Sequence, residues 1–223
     1  MKKTVFLAII IAVLTGCSGG KSPQVQKIAS KNGFAVLPAV NAGEAVATFA
    51  GGCFWATQES MIQLKGVHAV ISGYAGGTTV NPGYDEVARQ NTGHAEAVQV
   101  YYDPSVISFD QLLIAFFYAH NPTQLNRQGP DVGPEYRSIA FYRSPAELKM
   151  IAQVIAKMEA KKVYPDRFVT EEEPFIVFYP AESSHQEYYK HNTWDPYIRN
   201  VSRPKVRHVI EEMPQLIKTE YLN

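Results

Sequence analysis

Ala45-Val46-Ala47-Thr48-Phe49-Ala50-Gly51-Gly52-Cys53-Phe54-Trp55 takes the chain from an apolar run through two glycines into a helical pattern. Ala45 to Phe49 reads as a strand. Phe54 to about Leu64, with Ala56, Met61, Ile62 and Leu64 apolar, reads as a helix. The glycine pair lets the backbone turn sharply and approach a ligand closely. Cys53 thus falls at a helix start, where unpaired N–H groups and the helix dipole favour an anion and predict a stabilised thiolate. Phe54 and Trp55 follow at once and set a nucleophilic sulfur against an aromatic wall.

Working outward, Val67 to Ser72 reads as a second strand, ended by Gly73-Tyr74-Ala75-Gly76-Gly77, with a long polar loop through Asn81-Pro82-Gly83 behind it. Ala95 to Tyr102 is a third strand, closed by Asp103-Pro104. Ser108 caps an apolar helix through Ala119, which Asn121-Pro122 stops. A Gly/Pro-rich loop leads to a fourth strand, Ser138 to Tyr142. The order β-α-β-β-α-β matches the split βαβ motif and predicts an α+β, ferredoxin-like core. Ser144-Pro145-Ala146-Glu147 is a capping box opening a helix to about Lys161. Phe175 to Tyr179 reads as one more strand, and Pro204 to about Leu216 as one or two surface helices.

The N-terminus has a different character. Lys2 and Lys3 precede an apolar run, Val5 to Leu14, too short to span a bilayer and suited to an export signal. It closes with Leu14-Thr15-Gly16-Cys17, which resembles a bacterial lipoprotein signal. The expectation is removal of residues 1–16, acylation of Cys17 and a membrane-anchored protein of the cell envelope. Residues 17–43, rich in Ser, Gly, Lys, Asn and Gln, read as a flexible linker. Residues 44–223 then form one catalytic domain with a C-terminal helical extension, long enough for a well-buried core. The chain carries 21 basic and 21 acidic residues, and losing Lys2 and Lys3 leaves 19 against 21, so nothing attracts nucleic acid. With two cysteines, Cys17 and Cys53, disulfides do not hold the fold. Nothing in the pattern demands more than a monomer.

Glu96 shares one face of the third strand with Val98 and Val100 by period-two alternation. Shielding there raises a carboxyl pKa and makes a proton donor near neutrality. Alternation alone leaves open a glutamate leaning into solvent at the strand entrance. Tyr84 and Tyr136 lie in the Gly/Pro-rich loops, where function concentrates, although most tyrosines serve packing. Asp131 either orients a group or makes an Asx turn. His94, His120, His185 and His191 show no metal-ligand spacing, so no metal is expected. A Cys–His acyl-transfer pair stays open, because such partners meet in space.

The chain resembles the A-type peptide-methionine sulfoxide reductases. The resemblance runs through Gly-Gly-Cys-Phe-Trp at 51–55, Ser-Gly-Tyr-Ala-Gly-Gly at 72–77 and Thr-Gly-His-Ala-Glu at 92–96. It continues through Asn-Pro-Thr-Gln-Leu-Asn-Arg-Gln-Gly at 121–129, Asp-Val-Gly at 131–133 and Tyr-Arg-Ser at 136–138. Tyr-Pro-Ala-Glu at 179–182 and His-Gln at 185–186 complete it, in the family's order over roughly residues 44 to 200. It implies a two-layer α+β sandwich with a split βαβ core and added helices. It also implies that Cys53 attacks the sulfoxide sulfur while Glu96 protonates the oxygen, that Tyr84 and Tyr136 hydrogen-bond that oxygen, and that Asp131 belongs to the site. Phe54 and Trp55 would receive the substrate methyl group. Cys53 would become a sulfenic acid, with the S epimer as substrate and no cofactor beyond an external thiol.

Departures from the family pattern add to this. Ala56 stands where Gly is usual, and Pro134-Glu135 replaces a common Thr-Gln, which brings an extra negative charge near Tyr136. Ser183-Ser184 stands where Asp-Tyr is common, which weakens that stretch as a substrate contact. Many members carry a recycling cysteine in a Gly-rich tail, whereas Tyr221-Leu222-Asn223 here holds none, so a thioredoxin-like partner is expected to reduce Cys53. Two rival readings are a Cys-dependent peroxidase and a lipid-anchored binding protein that kept the fold without the catalysis.

Overall fold

The computed structural model describes residues 28–222, so the signal, Cys17 and the linker as far as residue 27 lie outside the described residues. Its first element is a hairpin, where the sequence predicts a flexible linker. Strand β1 (Ala29–Lys31) pairs antiparallel with β2 (Phe34–Val36). Asn32 and Gly33 turn the chain at φ 53° and 83°, the conformation that a two-residue hairpin loop requires. Ala35 is buried, its N–H donates to Ala181 O at 3.0 Å, and Ser183 N–H donates to Gly33 O at 2.7 Å. Those backbone bonds and the buried methyl group dock this part of the 17–43 segment onto the domain.

The chain continues as β3 (Ala45–Gly51), α1 (Phe54–Ile62), β4 (Val67–Ala75), α2 (Tyr84–Ala88), β5 (Ala95–Tyr102) and α3 (Phe109–Ala119). A short pair, β6 (Arg127–Gln128) and β7 (Asp131–Val132), precedes β8 (Ser138–Tyr142) and α4 (Pro145–Ala160). Strands β9 (Glu171–Pro174) and β10 (Phe178–Pro180) and helices α5 (Tyr188–His191) and α6 (Arg203–Glu212) follow. The main sheet has the order β10-β4-β5-β3-β8-β9. Its pairings are antiparallel except for the parallel β8–β9. Helix α1 connects β3 to β4, and α3 lies between β5 and β8. The result is a mixed fold of sheet and helices.

Strand β5 lies between β3 and β4, and every one of its residues is buried. One of its faces, Val98 and Val100, joins Phe49, Leu112, Phe116 and Val209 in the core beneath the helices. Phe49 and Phe116 stack there at 4.9 Å. The other face, Ala97 and Tyr101, packs with Ile71, Ile139 and Phe141 and is covered by Ala35 and Phe178. Small Ala95 and Ala97 leave room for that second cover.

The strand expected at 175–179 is displaced to either side. The sheet takes Glu171–Pro174 as its edge, where charge discourages pairing with other chains, while Ile176 is exposed. Phe175 leaves the strand with the Arg143 guanidinium 3.9 Å from its ring centroid. The loop after Gly77 holds the short helix α2. The C-terminal helix is not confined to the surface: Val206 and Val209 are buried, and α6 packs on α3 and α1 behind a π-helical turn, Ile198–Ser202.

Ser144 caps α4 by accepting from Glu147 N–H at 3.2 Å, while the Glu147 carboxylate accepts from Arg143 N–H at 2.6 Å, one residue earlier than a capping box predicts. Ser144→Ala should lower stability by about 1 kcal/mol in urea unfolding. Activity should not change, because the cap is remote from the site described next.

Candidate active site

Gly51 and Gly52 decide where the sulfur sits. A Cβ on Gly51 would lie 2.6 Å from the Phe116 ring and 2.9 Å from His120, so the strand end runs hard against α3. Gly52 has φ +76°, and a Cβ there would lie 2.5 Å from Gln128 Cγ. Gln128 is itself fixed by accepting from Asn121 N–H and donating to Asn121 O, both at 3.0 Å. This tight passage delivers Cys53 to the N-terminal cap of α1, where it is 7 % exposed.

Glu96, near the start of β5, is 3 % exposed, and its Oε2 accepts from Phe54 N–H at 3.0 Å. The first unpaired amide of α1 therefore goes to a carboxyl group and not to the sulfur. Burial, with the nearby negative charges of Asp131 and Glu135, pushes Glu96 up to about 8, against the lowering effect of the Phe54 amide. Glu96 is the shielded acid of the two readings that alternation left open.

The thiolate expectation needs correcting. Burial holds the Cys53 thiol well above its ordinary range, and Glu96 and Asp131 add to the rise. The Trp55 amide and the Tyr197 hydroxyl, both presented to the sulfur, oppose it without prevailing. At a helix start this deeply enclosed, desolvation outweighs the dipole. The resting sulfur is a thiol.

Asp131 comes from β7, Tyr136 from a 3-10 turn (Pro134–Tyr136) and Tyr84 from the first position of α2. Both tyrosines lie within electrostatic reach of Glu96, Cys53 and Asp131. Burial pushes Tyr84 up to about 12 and Tyr136 higher still, so both remain hydrogen-bond donors at neutral pH. The structure thus brings Cys53, Glu96, Tyr84, Tyr136 and Asp131 together. Trp55 is partly exposed and Phe54 is enclosed behind it, packed on Tyr74 and His185 at 5.9 and 5.5 Å. Glu135 is buried with Oε2 unpartnered, so the extra negative charge does lie in the wall of the site.

Several site residues escape a sequence reading. The Tyr197 hydroxyl donates to Asp131 Oδ2 at 2.5 Å and also faces the Cys53 sulfur. Tyr188 stacks on Trp55 at 3.8 Å, and His185 stacks on Tyr84 at 4.4 Å. Glu182 accepts from Tyr84 N–H at 2.9 Å and from the Tyr74 hydroxyl at 3.0 Å. These side chains come from residues 182–197, where short turns replace any periodic pattern, and only the Tyr-Pro-Ala-Glu and His-Gln motifs pointed there. Among the described residues no His, Cys, Asp or Glu cluster could hold a metal ion, and no helix is long and apolar enough to cross a membrane.

Residues 45–216 match the peptide methionine sulfoxide reductase family. The chain belongs to that family. The reductase from Natronomonas pharaonis is 46 % identical over 173 residues, covering 78 % of this chain and 97 % of the relative. The one from Haloquadratum walsbyi is 49 % identical over 166 residues, covering 74 % and 94 %. Among solved structures, reduced Mxr1 from Saccharomyces cerevisiae aligns with a TM-score of 0.66 at 34 % identity, over 70 % of this chain and 91 % of that one. The reductase family makes this chain an oxidoreductase. Residues 1–18 match a prokaryotic membrane lipoprotein lipid attachment site, in keeping with a lipoprotein-type signal.

Tyr197 has one hydroxyl proton and two acceptors, Asp131 and the sulfur. Tyr197→Phe should therefore raise the Cys53 pKa further. A hydrogen bond to a charged group contributes about 1.5 kcal/mol, so ultraviolet titration of the thiolate should move up by about one unit. An unchanged titration would remove Tyr197 from the sulfur's environment.

Proposed function

We propose that this chain reduces the S epimer of methionine sulfoxide, free or in proteins, to methionine. The observation that supports this is the pairing at the start of α1: a buried Cys53 sulfur beside a Glu96 carboxyl pushed up to about 8. A sulfoxide oxygen leaves only when protonated, and Glu96 enters the reaction as the neutral acid. The Cys53 sulfur bonds to the electrophilic sulfur as Glu96 protonates the oxygen, and the thiol proton passes to the Glu96 carboxylate. The oxygen then goes to Cys53 as the sulfur–sulfur bond breaks, with Tyr84 and Tyr136 donating to that oxygen and Asp131 fixing Tyr197. The methyl group packs on the wall of Phe54 and Trp55.

The balance is simple. The Cys53 thiol and the sulfoxide give the Cys53 sulfenic acid and the thioether, and two electrons pass to the substrate. Two external thiols then return the sulfenic acid to thiol, releasing water and a disulfide. A thioredoxin-like protein fits that role, because the sequence offers Cys53 no partner except Cys17. Acylation of Cys17 after removal of residues 1–16 would hold a monomeric domain at a membrane of the bacterial envelope, where it would repair oxidised proteins. The split βαβ reading of the core is supported by the order β4-β5-β3-β8 with helices in both connections.

Epimers supplied separately with a small dithiol test the reaction. The S form alone should be consumed, and Cys53→Ser should abolish its loss. Glu96→Gln should lower the rate by about 10²–10⁴-fold, as expected for a lost general acid. Because the neutral acid is the active form, wild-type activity should fall as pH rises through about 8. An acid limb at that pH in its place would refute the assignment. After a single turnover without thiol, intact-mass measurement should show one added oxygen on Cys53, and an intramolecular disulfide would overturn the external-reductant reading.

A further inference from the structure

Lys205, on the first turn of α6, has an enclosed amino group with nothing bonded to it among the described residues. Lysines usually carry the ammonium group out to water along the apolar stem. Here Nζ is inaccessible to solvent and has no hydrogen-bond partner among the described residues. An isolated buried ammonium is costly unless an anion lies near it. The groups within its electrostatic reach are Cys53 from the cap of α1, Asp131 from β7 and Glu96 from β5.

Each of those three already has a neutral partner, the sulfur facing the Trp55 amide and the Tyr197 hydroxyl. Asp131 takes the Tyr197 hydroxyl, and Glu96 takes the Phe54 amide. The sulfur is the group that gains a negative charge during turnover. The other basic side chain behind the site is His120, at the end of α3, which is within reach of Lys205 and is held neutral. Its Nδ1 faces Phe116 O at 2.7 Å, which fixes the proton on that nitrogen, and its Nε2 accepts from Ser138 Oγ at 2.7 Å. Burial takes it down to about 3, so no positive charge comes from it.

We propose that Lys205 is a positioning residue for the attacking sulfur, its enclosed ammonium supplying the counter-charge when Cys53 ionises. This deepens the reductase reading and rests on it for the role of the sulfur. Burial leaves the thiol protonated at rest despite the helix dipole, and Lys205 makes ionisation attainable without opening the site to water. Burial lowers the lysine itself below its ordinary range, and negative charge on Cys53, Asp131 or Glu96 opposes that lowering.

The test is the pH dependence of Cys53 alkylation by iodoacetamide, read by mass on residues 18–223, which requires no reductase activity. An opposite charge close by shifts a thiol by about 1–3 units. Lys205→Met should move the half-rate pH up by at least about one unit, which is about tenfold slower alkylation at a fixed pH below it. Lys205→Arg should restore the profile. Circular dichroism and thermal unfolding establish that each variant is folded, and Lys205→Gln replaces Lys205→Met if the latter is not. A folded Lys205→Met or Lys205→Gln whose profile overlays the wild type would overturn the proposal. Wild-type alkylation of the expected form with no sulfoxide reduction would instead count against the reductase reading alone.

Discussion

The Phe54 amide donates to the Glu96 carboxyl, and that 3.0 Å bond ties the first turn of α1 to β5. Its position follows from a chain of close approaches. Gly51 must pass Phe116 and His120 without a side chain, and Gly52 must turn at positive φ against Gln128. Any relaxation of that path would move the sulfur and the acid apart together. The carboxyl owes its raised pKa to burial, on the face of β5 that carries Val98 and Val100 into the core beneath the helices. Core packing and acid–base chemistry are therefore one arrangement here.

The site also shows how competing electrostatic effects are ranked. A helix N-terminus contributes about 0.3–1 kcal/mol in exposed positions, whereas burial of a charge in an enclosed site shifts a pKa by several units. The dipole argument, taken from the sequence, looked decisive for Cys53 and was the weaker effect. Sulfur and carboxyl both sit high, so each arrives in the form that keeps the unliganded pocket uncharged at that point.

Much of the fold was legible in the residues. β5 and β8 occur at the expected bounds, because apolar runs closed by Asp103-Pro104 and by Arg143-Ser144-Pro145 leave little freedom. Edge strand β9 was not legible, since Glu171-Glu172-Glu173 carries no apolar signal and is held by backbone pairing with β8 and by Arg137, whose Nε donates to Glu171 Oε2 at 3.1 Å. The Asn32-Gly33 hairpin was hidden for the opposite reason: a polar, small-residue composition suggests a linker, while the turn dipeptide, two backbone hydrogen bonds and the buried Ala35 methyl dock it. At the site, Cys53, Glu96, Tyr84, Tyr136 and Asp131 could be named from motifs. Tyr197 and Tyr188 could not, because they arrive from turns whose geometry is set by tertiary contacts, and Glu182 lies in the Tyr-Pro-Ala-Glu motif without a role that the motif alone reveals.

That hairpin has a mechanical meaning. As a free segment, residues 17–43 would let the domain range roughly 90 Å from a lipid-bearing Cys17, at full extension. With Ala29–Val36 fastened beside Glu182, the leash from Cys17 to Ile28 spans at most roughly 40 Å. A domain held that close by the proposed lipid anchor would reach only a thin layer above the bilayer, and oxidised chains farther out would have to come to it.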